Sequence, residues 1–216
     1  MPAIPYGADP AGAPLSAVLI HGRDREAAEM IGLAERIALP EVAWRALQAP
    51  GGSWYPESFL APLEANQPSL DLSLARVEAE VGALEALGVP RGRIALIGFS
   101  QGACVASEFI RRHPWRWGAL IAFTGGLFGP RGSSWDAPRL LDGTPALFSN
   151  SDADEFVPWP RTEESAVVFG RMGAEVTLKL YPGREHVVGD DEIGQARTIL
   201  RRALQVHTSP VLEEES

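Results

Sequence analysis

Three things are scarce in this sequence: cysteine, positive charge and long apolar runs. Cys104 is the single cysteine among 216 residues, so the chain cannot form an internal disulfide, and nothing indicates an oxidising compartment. No uninterrupted apolar run is long enough to cross a bilayer, and the N-terminus has neither the basic nor the apolar region of a signal peptide. We therefore expect a cytoplasmic protein that does not act in a membrane.

The excess of acidic over basic residues limits the kinds of partner that we expect this protein to bind. Lysine and arginine total 19 against 28 aspartate and glutamate residues, which gives a formal net charge of −9. This balance argues against nucleic acid and anionic membranes as partners. Histidine and cysteine form no cluster with the spacing of metal ligands, so we expect neither a metal nor another cofactor. We expect a small-molecule substrate and a chain that acts as a monomer or homodimer.

Short apolar runs alternate with longer helical patterns along the chain. Strands are predicted at 17–20, 42–47, 94–97, 119–123, 146–148 and 176–180. Helices are predicted at about 24–39, 69–87, 101–113, 160–172 and 189–206. This alternation predicts an α/β protein with a doubly wound, mostly parallel sheet of about six to seven strands and helices on both faces.

We expect a single domain over residues 1–216, with an irregular N-terminal segment at 1–14 and an acidic tail at 208–216. Two long connections, 49–68 and 124–143, are rich in glycine and proline and carry aromatic residues. Long loops of this kind tend to be functional. No segment is long enough to form a large lid domain.

The pentapeptide Gly98-Phe99-Ser100-Gln101-Gly102 matches the G-x-S-x-G pattern of serine hydrolases. The pattern alone is weakly specific, but here it directly follows a predicted strand and directly precedes a predicted helix. This strand–turn–helix setting is what a nucleophile elbow requires, and glycines two residues to either side avoid collisions with the neighbouring strand and helix. We predict that Ser100 is the nucleophile of an α/β-hydrolase fold.

A serine nucleophile needs a histidine base, and the histidine needs a carboxylate that fixes its tautomer. In this fold the acid follows a late strand and the histidine lies in a loop after the last strand. Of the four histidines, His186 meets this requirement, and we predict it as the base. Asp152 and Asp154 both follow the strand at 146–148, and spacing alone leaves the choice between them open. Whichever is not the acid is expected to cap a turn.

The first strong strand ends in His21-Gly22, which predicts an oxyanion loop. In this fold, the N–H after the nucleophile and an N–H of that loop stabilise the oxyanion, which assigns the main chain of Gln101 and Arg23. His21 is then expected to be structural and not to titrate in the mechanism. A plain strand-to-helix turn, with Asp24 as the N-cap of the next helix, is compatible with this interpretation.

Together these residues resemble the phospholipase/carboxylesterase family of α/β-hydrolases, which includes acyl-protein thioesterases and small bacterial carboxylesterases. Gly98–Ala103 is similar to the family's elbow, G-F-S-Q-G-[AG], and the resemblance extends from His21 to His186. The family's acid precedes an x-x-V-P stretch, as Asp154 precedes residues 155–158. The resemblance therefore implies that Asp154 is the acid.

The resemblance also suggests where the substrate pocket lies. Trp54-Tyr55-Pro56 is similar to a W-Y-P loop in a bacterial branch of the family, which implies that Trp54 and Tyr55 line the pocket. Phe156 and Val157, next to the implied acid, are further pocket candidates.

Two positions depart from the family pattern. Asp24 stands where the family commonly has glycine, and Arg23 stands where many relatives carry an apolar residue. We expect the first to change the shape of the oxyanion loop and the second to bring a cation to the pocket mouth.

The predicted reaction is a two-step acyl transfer by a serine carboxylesterase acting on short-chain esters, because no large lid covers the site. Within the same chemistry, an acyl-protein thioesterase or lysophospholipase acting on longer acyl chains is the nearest alternative. A ligand-binding receptor with vestigial hydrolysis is an alternative from another class. A peptidase is disfavoured because no extra domain is present to select peptides.

Overall fold

The structure of the chain is a computed structural model in which residues 2–208 are described, with side chains up to residue 205. Seven strands form one sheet in the order β1-β3-β2-β4-β5-β6-β7. The strands are β1 (Ile4–Gly7), β2 (Leu15–Ile20), β3 (Val42–Leu47), β4 (Ile94–Phe99), β5 (Ala119–Phe123), β6 (Pro145–Asn150) and β7 (Glu175–Leu180). All neighbouring pairs are parallel except β1 and β3.

Five α-helices connect or follow the parallel strands. They are α1 (Ala27–Ile37), α2 (Ser69–Ala86), α3 (Gln101–Arg112), α4 (Trp159–Arg171) and α5 (Asp190–Thr208). Each predicted helix and each of the six predicted strands is present, with ends that differ by a few residues. The predicted fold class, a doubly wound and mostly parallel α/β sheet, is therefore confirmed. Across residues 2–208, no helix is both long enough and apolar enough to cross a membrane.

The core consists of two apolar clusters, one on each face of the sheet. Successive side chains of a strand point to opposite faces, so Val18 and Ile20 join one cluster and Ala17 and Leu19 join the other. Buried residues of α2, α3 and α4 complete the first cluster, and those of α1 and α5 complete the second. Because both faces are covered, the central strands β2 and β4 are buried along their whole length.

The N-terminal segment is a correction to the sequence prediction. Residues 1–14 were expected to be irregular, but Ile4–Gly7 pairs antiparallel with β3 as an edge strand. All four residues of this strand are exposed, so no apolar alternation marks it, and Pro5 is tolerated because an edge strand needs fewer ladder donors. The predicted acidic tail, 208–216, lies outside the described residues except for Thr208, with which α5 ends.

The carboxyl ends of the parallel strands carry the loops that hold the predicted site. Ser100 follows β4, and His21 directly follows β2. The segment 151–158 follows β6, and the segment 181–189 follows β7. Parallel strands end at the same edge of a sheet, so these loops meet above β2, β4, β5 and β6.

Candidate active site

Ser100 occupies a strained turn between β4 and α3. Its backbone has φ 54° and ψ −118°, a conformation that a residue with a Cβ rarely adopts. The turn is fixed on one side by the Ser100 N–H, which donates to the carbonyl of Phe123 at 2.9 Å. A Cβ at Gly98 would overlap the backbone of α3, and a Cβ at Gly102 would overlap the carbonyl of Ile20 on β2. Both glycines are therefore required for the close approach of strand and helix.

The side chains of Ser100, His186 and Asp154 form a continuous chain of contacts. His186 Nε2 lies 2.8 Å from Ser100 Oγ, and His186 Nδ1 lies 2.6 Å from Asp154 Oδ2. Because a carboxylate oxygen can only accept, the proton is on Nδ1, which leaves Nε2 to accept from the serine hydroxyl. The arrangement can move a proton from Ser100 to His186 while Asp154 holds the ring in one tautomer.

The side chain of Asp154 is completely buried and uses both of its oxygens. Oδ1 accepts from the N–H groups of Phe156 at 2.9 Å and Val157 at 2.8 Å, while Oδ2 contacts His186. Burial alone raises the pKa of the Asp154 carboxyl, but the hydrogen bond with His186 and the two backbone N–H donors outweigh it. The pKa of Asp154 therefore lies below the usual aspartate value, and the group is a carboxylate at neutral pH.

Asp152, the other candidate acid, does not reach His186. Its side chain accepts from the N–H of Gly183 at 2.8 Å and is solvent-exposed, so it links the loop after β6 to the loop after β7. Its bond thus joins two loops that are far apart in sequence, whereas the aspartate that is not the acid was expected to cap a turn.

Two other histidines with described side chains lie outside this chain of contacts. His113 ends α3, with Nδ1 3.0 Å from the carbonyl of Phe109. His21 is fully buried, and its Nε2 accepts from the N–H of Ala49 at 3.0 Å while Nδ1 lies 2.6 Å from the carbonyl of Gly22. Burial lowers the pKa of His21, so the ring stays neutral at neutral pH and joins the loops after β2 and β3.

The loop after β2 lies directly against the elbow. A Cβ placed on Gly22 would be 3.4 Å from the Cβ of Ser100, so the backbone at 22–23 passes beside Ser100. Gln101 is the first residue of α3, and the N–H groups of a first helical turn have no acceptor within the helix. Both segments therefore offer main-chain N–H groups next to Ser100, as an oxyanion hole needs.

Asp24 adopts φ 55°, in the left-handed region that glycine favours and aspartate tolerates. Its N–H donates to the carbonyl of Gly52 at 2.9 Å. It is not an N-cap, because α1 begins at Ala27 and Glu26 holds the cap position. Asp24 thus replaces the family's common glycine but keeps a backbone conformation that glycine favours.

The side chains of Gln101 and Arg23 bind the loop at 53–57, a role that was not predicted from the sequence. Gln101 Nε2 donates to the carbonyl of Tyr55 at 2.7 Å, and its Oε1 accepts from the N–H of Trp54 at 2.8 Å. The Arg23 guanidinium donates to the carbonyls of Tyr55, Pro56 and Glu57 at 3.0, 2.7 and 2.9 Å. The cation expected at the pocket mouth is thus bound to backbone carbonyls of the pocket wall.

A cavity of about 520 Å³ opens beside Ser100 and His186. Three of the four predicted pocket residues line it: Tyr55, Phe156 and Val157. Phe156 is 60% exposed, and its ring centroid lies 4.9 Å from that of His186, so it stands at the mouth.

Trp54 corrects the pocket prediction, because it does not line the cavity. Its ring is fully buried, and the indole N–H donates to the carbonyl of His21 at 2.8 Å. Tyr55, the next residue along the chain, faces the cavity instead.

Several lining residues were not predicted as pocket residues, among them Phe59 and Cys104. Phe59 lies in the long connection at 49–68, in which Trp54 and Tyr55 were predicted to line the pocket. Cys104 is buried and contacts Tyr55. Burial raises the pKa of the Cys104 thiol to about 11, so it stays protonated at neutral pH and is a poor nucleophile.

Residues 40–204 match the sequence profile of the family described as Phospholipase/Carboxylesterase. The chain belongs to this family. The resemblance found in the sequence is thereby confirmed.

A solved structure from the phospholipase/carboxylesterase family, that of Dyadobacter fermentans, is 40% identical to this chain with a TM-score of 0.87. The match covers 92% of this chain and 96% of that one, which confirms the α/β-hydrolase fold without a large additional domain in residues 2–208.

Two named relatives are similar over a shorter stretch. A probable carboxylesterase of Oryza sativa subsp. japonica is 25% identical over 158 residues, and acyl-protein thioesterase 1 of Gibberella zeae is 28% identical over 122 residues. These matches cover 71% and 54% of this chain. They cover 59% and 51% of the relatives, so the chain spans little more than half the length of either.

Proposed function

We propose that the chain is a serine carboxylesterase that hydrolyses short-chain carboxylic esters through an acyl-enzyme intermediate. The observation that carries the proposal is the unbroken contact chain from Ser100 Oγ through His186 to the buried carboxylate of Asp154. Membership of the phospholipase/carboxylesterase family supports it independently.

In the first step, His186 Nε2 takes the proton of Ser100 as Oγ bonds to the ester carbonyl carbon. The electron pair of the C=O π bond moves to oxygen, and the N–H groups of Gln101 and Arg23 stabilise that oxyanion. The tetrahedral species then collapses, the ester C–O bond breaks, and His186 gives its proton to the departing alcohol. Asp154 stabilises the imidazolium that exists between the two proton transfers.

In the second step, water repeats the sequence in place of serine. His186 takes a proton from water, the hydroxide oxygen bonds to the acyl carbon, and the proton passes to Ser100 Oγ as the acyl group leaves as a carboxylic acid. The products are one alcohol and one acid for each ester and water consumed, and no redox partner is needed.

The cavity favours a small, uncharged acyl group. Tyr55, Phe59, Cys104 and Val157 form an apolar part of its lining, which continues into the charged side chains Arg23, Asp24, Arg25 and Glu57. Burial raises the pKa of the Tyr55 hydroxyl well above its usual value, so Tyr55 is uncharged at neutral pH. The apolar part suits a short acyl chain, whereas a long chain would extend to the charged side chains and to solvent.

An acyl-protein thioesterase or lysophospholipase is the second candidate, favoured by the similarity to acyl-protein thioesterase 1 of Gibberella zeae. The two candidates differ in the acyl chain they accept. A thioesterase of long acyl groups needs a channel that extends beyond Cys104.

The test is a profile of kcat/KM against p-nitrophenyl acetate, butyrate, octanoate and palmitate, run beside Ser100→Ala. We expect the maximum at acetate or butyrate and a fall of at least about tenfold by palmitate, because a long acyl chain would extend beyond the apolar part of the lining. A maximum at palmitate would favour the second candidate. If the wild type turns over none of these esters, and so does not differ in activity from Ser100→Ala, the result would favour the receptor alternative.

A further inference from the structure

The loop that carries His186 is attached to a buried carboxylate at the start of α5. Glu192 is completely buried, although it lies only two residues beyond the first residue of the helix. Its Oε1 accepts from the hydroxyl of Ser149 at 2.6 Å, and its Oε2 accepts from the N–H of Gly189 at 2.7 Å. Oε2 also lies 3.0 Å from Nη1 of Arg184.

Arg184 joins the same cluster from the other side of the loop. Its Nη2 donates to Thr124 Oγ1 at 3.2 Å, and its guanidinium lies over the ring of Tyr181 at 5.4 Å. Nη1 makes no hydrogen bond of acceptable geometry within the described residues, so its approach to Glu192 is an ion pair rather than a directed hydrogen bond. The Thr124 N–H in turn donates to the carbonyl of Ser149 at 2.7 Å, which connects the cluster to the ends of β5 and β6.

The two attachments flank His186. Arg184 stands two residues before it and Gly189 three residues after it, and both contact the same oxygen, Oε2 of Glu192. One buried carboxylate oxygen therefore closes the segment 184–189 into a loop with His186 near its middle.

The segment has few other anchors to the rest of the chain: Arg36 Nη2 donates to the carbonyl of Val188 at 3.2 Å, and the Val188 side chain packs against the apolar cluster that α1 and α5 cover. Glu185 and Val187 are exposed, and the described backbone hydrogen bonds at Arg184 and Val187 stay within the loop, to Tyr181 and Glu185. Outside the loop, Gly183 is held by Asp152, and the His186 ring touches Phe99 and Phe156 besides Ser100 and Asp154. Between Arg184 and Val187 the loop has no buried apolar side chain, so the position of this part depends on its polar anchors.

We propose that Glu192 is a positioning residue for His186: it fixes both ends of the loop so that the imidazole bridges Ser100 and Asp154. The proposal rests on the proposed function, in which His186 is the base. Glu192 does not touch substrate. It acts through Arg184 and Gly189, and a displacement of the imidazole by about 1 Å is enough to reduce the rate by roughly 100-fold.

Two variants separate the anchors. Glu192→Ala removes all three contacts, whereas Glu192→Gln keeps an oxygen for the Gly189 N–H and an amide for Ser149 but loses the charge that pairs with Arg184. The matched control is Glu108→Gln, since Glu108 is also fully buried and pairs with Arg111 and Arg112, but on α3 away from the cavity.

We expect kcat for the butyrate ester, measured well below the melting temperature, to fall roughly 10- to 100-fold in Glu192→Ala and less in Glu192→Gln, with KM unchanged. The rate of fluorophosphonate labelling of Ser100 should fall by the same factor, because labelling also needs His186 as the base. Glu108→Gln should lower Tm and leave kcat and labelling unchanged.

A purely structural role for Glu192 predicts a different pattern, in which Tm falls and kcat stays within about twofold of wild type. That result in folded Glu192→Ala would overturn the proposal, as would a loss of kcat in Glu108→Gln equal to that in Glu192→Ala. A wild-type chain that neither turns over esters nor labels would overturn the proposed function as well, so the two failures are distinguishable.

Discussion

The carboxylate of Asp154 contacts both His186 and two residues of the pocket lining. Oδ2 contacts His186, and Oδ1 accepts from the N–H groups of Phe156 and Val157, both of which line the cavity. The carboxylate therefore fixes the imidazole tautomer and the turn that forms part of the pocket wall. An amide at this position cannot supply acceptors in both directions.

Asp154→Asn is expected to reduce kcat by roughly 10³–10⁴-fold, because an amide NH₂ facing His186 Nδ1 favours the wrong tautomer. The matched control is Asp152→Asn, two residues away, whose amide oxygen can still accept from Gly183. Steady-state kinetics of both variants test this. Equal activity of the two would contradict the role of Asp154.

The same substitution is expected to change how stability depends on pH. The pKa of Asp154 is lower in the folded than in the unfolded chain, so its ionised form stabilises the fold above about pH 4, the ordinary aspartate pKa. This contribution is lost as the pH falls through the folded-state pKa. The difference in unfolding free energy between wild type and Asp154→Asn should therefore be largest at neutral pH and shrink on acidification. Urea titrations across that range measure it, and a pH-independent difference would contradict it.

Some residues of the candidate site can be predicted from the sequence and others cannot, for physical reasons. Ser100 and His186 follow from the elbow and the chain order. Spacing did not separate Asp152 from Asp154, since both follow β6 and differ only in which way the loop turns. Trp54 and Tyr55 present the same difficulty: which of two adjacent aromatic residues faces the cavity is set by hydrogen bonds from Gln101, distant in sequence.

At the scale of elements, the loop at 53–57 is a wall of the cavity without regular structure of its own. The side chains of Gln101 and Arg23, whose main chains are also the proposed oxyanion donors, hold it together with Ser73 and Asn66. The pocket wall and the oxyanion hole are thus coupled through two residues. The family's usual apolar residue at position 23 could not form the three carbonyl contacts seen here.

Arg23→Met is expected to raise KM for the butyrate ester by about 3- to 10-fold with a smaller change in kcat, because the wall loosens while the main-chain N–H remains. The matched control is Arg93→Met. Arg93 also donates to backbone carbonyls, those of Ala13 and Pro14, but near the start of β4 at the opposite edge of the sheet. Steady-state kinetics would show an equal rise in KM for both variants if the loop were not coupled to the cavity.

Helices and parallel strands were predicted more completely than the remaining elements. Their apolar runs and spacings reflect burial on both faces of the sheet. β1 was missed because its pairing with β3 buries none of its four residues. Edge pairing of this kind comes from backbone hydrogen bonds, which leave no mark in the side-chain pattern.

For the whole molecule, one sheet separates two apolar clusters, and each central strand contributes to both. Neither cluster can lose its packing without exposing the side chains that the same strands send to the other. The structure therefore supports the single domain expected from the sequence, which remains a prediction.

We expect a single cooperative unfolding transition, in which the calorimetric and van't Hoff enthalpies agree and far-UV circular dichroism coincides with tryptophan fluorescence. Trp44 reports on one cluster and Trp117 on the other. Each of the variants Trp44→Phe and Trp117→Phe lacks the tryptophan signal from one of these positions. If their fluorescence transitions had different midpoint temperatures, the chain would contain two independent units.

The central claim is that Ser100 is the nucleophile. The contact that Ser100→Ala removes is the one between Ser100 Oγ and His186, so we expect the variant to keep the fold. The most direct measurement is intact-mass spectrometry and peptide mapping after treatment with a fluorophosphonate. We expect one adduct per chain, located on Ser100, and none on Ser100→Ala. An unlabelled wild type, or a Ser100→Ala variant that carries the same adduct, would contradict it.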